Sequence, residues 1–78
     1  MRLKTTLMYI GSDGSRGFKQ GKIYEVEIFK KHTFLWVRED KFLCYKECPY
    51  SRPKTLKDNW KFIIEEDEEK LSMLWEGG

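Results

Sequence analysis

The side chains that could do covalent or acid–base chemistry in this chain are few and scattered. There is one histidine, His32, and there are two cysteines, Cys44 and Cys48. A closed zinc site takes four ligands, with cysteines paired at short spacing. Cys44, Cys48 and His32 supply only three, the gap between the cysteines is wide for a zinc knuckle, and no second cysteine pair exists. No metal is expected. Two cysteines also make no disulfide framework, so both read as reduced thiols. Cys44 falls in a strand-like run and reads as a small core residue. Cys48 has basic neighbours, which can lower a thiol pKa, but no Cys/His or Ser/His/Asp set accompanies it. The carboxylates gather in one solvated run, EEDEE, near the C-terminus. Nothing is placed for nucleophilic or general acid–base work. The chain therefore reads as a protein that is not an enzyme and carries no cofactor.

A glycine-rich stretch, GSDGSRGFKQG over residues 11–21, raises the question of a phosphate cradle. It lacks the spacing of a P-loop, and no helical pattern follows it. It reads as a structural loop with several positive-φ positions. Phe18, its one large apolar residue, is expected to anchor it to the core.

The elements around these residues are mostly strands. Residues 3–10 alternate loosely and form a first strand. In KIYEVEIF (residues 22–29), Tyr24, Val26 and Ile28 share one face, with Glu25 and Glu27 on the other. Residues 30–32 turn the chain. TFLWVR (residues 33–38) opposes Phe34 and Trp36 to Leu35 and Val37, which predicts a strand covered on both faces, with Trp36 and Tyr24 in the core. A charged turn at Glu39-Asp40 leads to a returning strand over 41–46. Pro49 and Pro53 stop strand formation over 47–55. Thr55, with Asp58 three residues on, opens a helical turn over 55–60, in which Leu56 and Trp60 form one stripe. KFII (residues 61–64) closes the sheet. The fold class is thus mainly β, a small five-stranded antiparallel barrel with a short helix before its last strand. The domain spans 1–64, and an acidic tail with a short amphipathic segment spans 65–78.

Charge divides along the same boundary. Residues 1–64 hold 14 Lys or Arg and 7 Asp or Glu, and so carry +7. Residues 65–78 hold one Lys and six acids, and so carry −5, which recovers the net +2. A basic body is the usual footprint of a nucleic-acid surface, whereas an acidic tail opposes one. No apolar run approaches the ~20 residues of a membrane span. The N-terminal MRLKTTLMYIG is a better first strand than a signal peptide. These features predict a cytoplasmic protein with no membrane partner.

The order of strand, long glycine-rich loop, meander, helical turn and closing strand resembles an SH3-like small β-barrel. The stretches FKQGKIYEVEIF and CPYSRPKTLKDNW resemble small uncharacterised proteins encoded by phages and prophages of Gram-positive bacteria. In these, a KGK-x-Y-x-V strand precedes a YSS-L-x-x-F-L-x-NW-like segment. The likeness covers roughly residues 7–62, and Arg52-Pro53-Lys54 departs from it. The resemblance implies a phage accessory protein that binds and modulates or inhibits a host or defence protein in the host cytoplasm. It implies no enzyme activity and assigns no residue a role.

Two binding surfaces follow from the residues themselves. Tyr45, Tyr50 and Arg52 are expected to form an exposed patch, since aromatics beside arginine are the usual anchors of interfaces. The alternative to a protein target is a nucleic acid or nucleotide, which Tyr45 and Tyr50 with Lys41, Lys46, Arg52 and Lys54 would serve by stacking and phosphate contact. In the tail, Leu71, Leu74 and Trp75 fall on one helical edge, with Glu66 and Lys70 spaced to support it. That edge docks either on this chain's own sheet, the preferred expectation, or in a partner's groove. A homodimer through an exposed sheet edge is a further alternative to a monomer.

Overall fold

The computed structural model describes residues 2–12, 17–40 and 46–77. Five strands form one antiparallel, curled sheet, a half-barrel: β1 (Arg2–Tyr9), β2 (Ile23–Lys31), β3 (Phe34–Glu39), β4 (Glu47–Tyr50) and β5 (Trp60–Phe62), in spatial order β4-β3-β2-β1-β5. Helix α1 (Pro53–Asn59) precedes β5, and helix α2 (Glu65–Gly77) follows it.

Period-2 patterning decides which side chains go inside. Leu3, Leu7 and Tyr9 of β1, Tyr24, Val26 and Ile28 of β2, and Leu35 and Val37 of β3 all point to the inner face and are buried. Trp60 packs among three other rings there, with its centroid 4.9 Å from Tyr9, 4.8 Å from Phe18 and 5.9 Å from Tyr24. The contacts are edge-on, the favoured geometry for aromatic pairs. Phe18 is buried, as expected, and pins the glycine-rich segment to this cluster. Gly11 is required by crowding: a Cβ there would lie 2.6 Å from the Tyr9 hydroxyl and 2.5 Å from Asn59 Oδ1.

The tail docks on its own sheet. Helix α2 is longer than the segment foreseen, with Leu71 and Leu74 buried in the same cluster as the strands. Thr5 donates a buried hydrogen bond of 2.7 Å to Asp67. Lys70 pairs with Asp67 at 3.3 Å, although Glu66 was the partner its spacing suggested.

Several expectations are corrected. A strand was not foreseen at 47–50, yet β4 forms there and Pro49 stands opposite Trp36. An edge strand tolerates proline because one row of its backbone groups faces away from the sheet. The returning strand foreseen over 41–46 falls largely outside the described residues, as do Lys41, Cys44 and Tyr45. Helix α1 starts at Pro53 rather than Thr55, with no side-chain cap at Arg52. Proline's fixed φ suits the first helical turn, where its missing N–H costs nothing. The closing strand is shifted toward Trp60, leaving Ile63 and Ile64 exposed. Trp36, foreseen in the core, is only half-buried, because the register sends Leu35 and Val37 inward and no element of the described chain covers the other side of β3.

Candidate functional site

The uncovered outer face of the sheet carries an arrangement that neither expected binding surface contained. It begins at the β2–β3 turn, where His32 and Thr33 both take positive φ, at 53° and 67°. A two-residue turn of this kind fixes the strand register. Lys31 is therefore opposite Phe34, Phe29 opposite Trp36, and Glu27 opposite Arg38. Strand β1 adds Arg2 opposite Phe29 and Lys4 opposite Glu27. Strand β4 adds Pro49 opposite Trp36 and Glu47 opposite Arg38. One rung across the sheet is thus Arg2, Phe29, Trp36 and Pro49. The next is Lys4, Glu27, Arg38 and Glu47, which alternates in charge.

The two rungs are tied together. Arg2 and Arg38 both donate to the same Glu27 oxygen, at 2.6 and 2.9 Å. Their guanidinium carbons also lie 4.8 and 5.1 Å from the centre of the Phe29 ring. This cover explains why Phe29 is buried although it points outward. The hydrogen bond from Arg2 holds the Glu27 carboxyl below its ordinary pKa; burial works against that, and Arg38 reinforces it. Glu27 thereby fixes two long cationic side chains in place. The Trp36 indole makes one long, solvent-exposed bond, its Nε1 donating to the Lys31 carbonyl at 3.3 Å. Phe34, two residues before it, is 42% exposed.

A concavity of about 390 Å³ opens here, lined by Arg2, Phe29, Lys30, Lys31, Trp36, Arg38 and Glu47. That is within the size range of small-ligand sites, roughly 300–1,000 Å³. Its lining combines flat apolar rings with several cations. It offers stacking and anion contact. Among the described residues, no three His, Cys, Asp or Glu side chains are grouped to hold a metal ion.

The residues foreseen as binding groups do not converge. Tyr45 lies outside the described residues. Tyr50 is buried, not exposed: it stands opposite Leu35 at an inward position of β4, and Trp60 Nε1 donates to its hydroxyl at 2.8 Å. Burial pushes the Tyr50 phenol well above its ordinary pKa, with Cys48 adding to the effect. Arg52 and Lys54 are exposed at the start of α1, without Tyr50 beside them at the surface. Leu71 and Leu74 are core residues, which removes them as free contacts. Trp75 is half-buried, and Lys30 closes on it, with its ammonium 4.9 Å from the ring centre and donating to the Trp75 carbonyl at 3.0 Å. Lys46 lies over Tyr24, with Nζ 5.8 Å from the ring centre.

Helix α2 packs with the inner face, so its acidic side chains do not cover the concavity. Among the described residues, no helix is long and apolar enough to cross a membrane. No protein-family model matches the chain, and no curated protein or solved structure gives a significant match.

Proposed function

We propose that this chain is a small non-enzymatic binding module of the SH3-like kind, and that it engages its target through the outer sheet face around Trp36. The observation that supports this reading is a half-buried tryptophan beside an arginine-covered phenylalanine, on a face the described chain leaves open. A folded domain gains little by placing an indole there unless something stacks on it.

The resemblance to phage- and prophage-encoded proteins implies a host or defence protein as the target, bound in the host cytoplasm and modulated or inhibited. The chemistry of the face favours the other class weighed from the sequence, a nucleic acid or nucleotide. Arg2, Lys30, Lys31 and Arg38 border the concavity against Glu47 on its rim and Glu27 bonded to both arginines, so four cations face two acids, with the Lys30 ammonium turned to Trp75.

Affinity capture from host lysate, with and without nuclease, separates the two classes when wild type is run beside a Phe34→Ala/Trp36→Ala variant. Capture lost on nuclease treatment supports a nucleic acid. A protein retained after nuclease and lost with the variant supports the protein target. Capture that is the same for wild type and variant contradicts the outer face as the site.

A further inference from the structure

We propose that β3 is a two-base stacking platform for single-stranded nucleic acid, with Phe34 and Trp36 each taking one base. The proposal rests on the outer face being the binding surface. It adds the geometry of the ligand and a role for each residue.

Phe34 and Trp36 are two apart on one strand, so they project from the same face about 7 Å apart. This spacing, about twice the stacking distance, would also admit one base clasped between the rings, and the choice of one base per ring rests on the cations set along the strand. The spacing matches the separation of successive bases splayed from an extended single strand, and stacking on aromatic side chains is how proteins bind such strands without reading sequence. A duplex keeps its bases stacked inside and offers nothing to these rings. The Trp36 ring is half-buried and bonded to the Lys31 carbonyl, which lowers the cost of ordering it on binding.

The cations follow the same line. Lys31 is opposite Phe34 and exposed. Arg2 lies across β2 from Trp36, on the far side of Phe29, and Arg38 follows Trp36 two residues on, toward the other end of the strand. A backbone running along β3 would meet Lys31 near the first base and Arg2 near the second. Glu27 holds both the Arg2 and Arg38 guanidiniums over Phe29, 4.8 and 5.1 Å from its centre. Arg2, whose side chain is 56% exposed, is placed to reach a phosphate oxygen, which suits a planar fork of donors. Glu47 on the rim opposes phosphate beside Arg38, whereas the acidic run Glu65, Glu66, Glu68 and Glu69 belongs to α2, which packs with the inner face. An acidic peptide would satisfy the cations but would leave both aromatic faces unused, which is why nucleic acid is favoured over it.

The test is fluorescence anisotropy of the whole chain with a labelled oligothymidylate of about twelve nucleotides, within the usual site range of single-strand binders. Wild type should bind with an affinity that falls as salt rises. Trp36→Ala and Phe34→Ala should each weaken binding at least about fivefold, the lower end for loss of one stacked base. Trp36→Phe should recover most of the loss. Lys31→Ala should lower the slope of log affinity against log salt by about 0.7, the value for one phosphate contact on a single strand. Lys54→Ala, an exposed cation on α1, should bind as wild type. All variants are checked by circular dichroism to be folded at the assay temperature, and one that is not is replaced by Phe34→Leu or Trp36→Leu, which keep apolar bulk and remove the ring. Equal affinity for thymidine monophosphate would overturn the platform in favour of a free-nucleotide pocket. Equal competition by a polyglutamate peptide would overturn it in favour of an acidic protein. Salt-dependent binding indifferent to both ring substitutions would also overturn it. If no oligonucleotide binds but the double variant loses a nuclease-resistant host protein, the platform fails and the binding-module reading stands; if neither is seen, both fail.

Discussion

Leu35 and Trp36 are neighbours on β3, and their surroundings could hardly differ more. Leu35 is wholly excluded from solvent among Val37, Tyr50 and the other inner side chains, whereas Trp36 is half-buried with only a rim of Pro49, Phe29 and cations around it. The same holds along β2, where Ile28 is buried by packing and Phe29 by two guanidiniums. One sheet thus has an inner face that closes a core and an outer face that holds charged and aromatic groups in fixed positions. Nothing in hydrophobicity separates the two sets, since the outer face owns Phe29, Phe34 and Trp36. What separates them is cover: α1 and α2 pack on one side, and no described element packs on the other. An aromatic side chain in a strand is therefore structural or available according to which helix, if any, lies above it.

The largest expected effect lies inside. Trp60→Ala removes the centre of the ring cluster and leaves the Tyr50 hydroxyl without its donor. It should cost about 3–5 kcal/mol, enough to leave a domain of this size largely unfolded at room temperature. Circular dichroism and thermal melting check this. Next comes α2. Leu71→Ala should cost about 2–5 kcal/mol. Deleting residues 65–78 should expose apolar surface, raise dye binding and remove cooperative melting. A truncated chain that melts like wild type would mean that the inner face needs no cover and would break the comparison.

Trp36→Ala should behave differently from Trp60→Ala. With the indole already half in solvent, about 1 kcal/mol is expected, or a fall in Tm of about 4–8 °C. Arg2→Ala and Arg38→Ala should change stability less still, while loosening Phe29 and any ligand held there.

Acid should act on the outer face through Glu27. Its carboxyl pKa is lowered in the folded state, so its contribution is fully present above the unfolded value and fades as pH falls through the folded value. Melting followed down through the carboxylate range should show a loss that Glu27→Gln lacks. An identical acid profile for both proteins would mean that the arginine pair does not depend on that charge. The smallest effect belongs to the turn. His32 and Thr33 sit at positive φ, which Asn and Gly accept more readily. His32→Asn with Thr33→Gly should stabilise by up to about 1 kcal/mol, read as a rise in Tm with ligand affinity unchanged.

Much of the inner face was legible in the sequence. Tyr24, Val26 and Ile28 alternate cleanly, Phe18 stands alone in a polar loop, and Leu71 and Leu74 show a helical edge. The outer site was not, and the turn explains why. His32-Thr33 lacks the Asn-Gly signature of a two-residue hairpin, so the reversal was read over 30–32. Placing it at 32–33 puts Phe29 opposite Trp36 and Glu27 opposite Arg38 with no further information. Trp36 was assigned to the core because alternating apolar residues on two faces predict cover on both, and only tertiary packing decides which face receives it. Tyr50 was assigned to the surface because Pro49 was taken to end strand pairing, whereas an edge position lets the strand continue and turns Tyr50 inward.

The division of labour between the faces can be read directly from the chain's own reporters. Trp36, Trp60 and Trp75 are its three tryptophans, and each indole N–H gives a separate resonance in an isotope-labelled sample. Titration with oligothymidylate should move the Trp36 signal most, together with the backbone signals of Lys31, Phe34 and Arg38. Trp60 should stay fixed and Trp75 should shift only through Lys30. A Trp36 resonance that stays still while signals on α1 or α2 move, or Trp36 and Trp60 shifting together, would contradict an outer face set apart for binding.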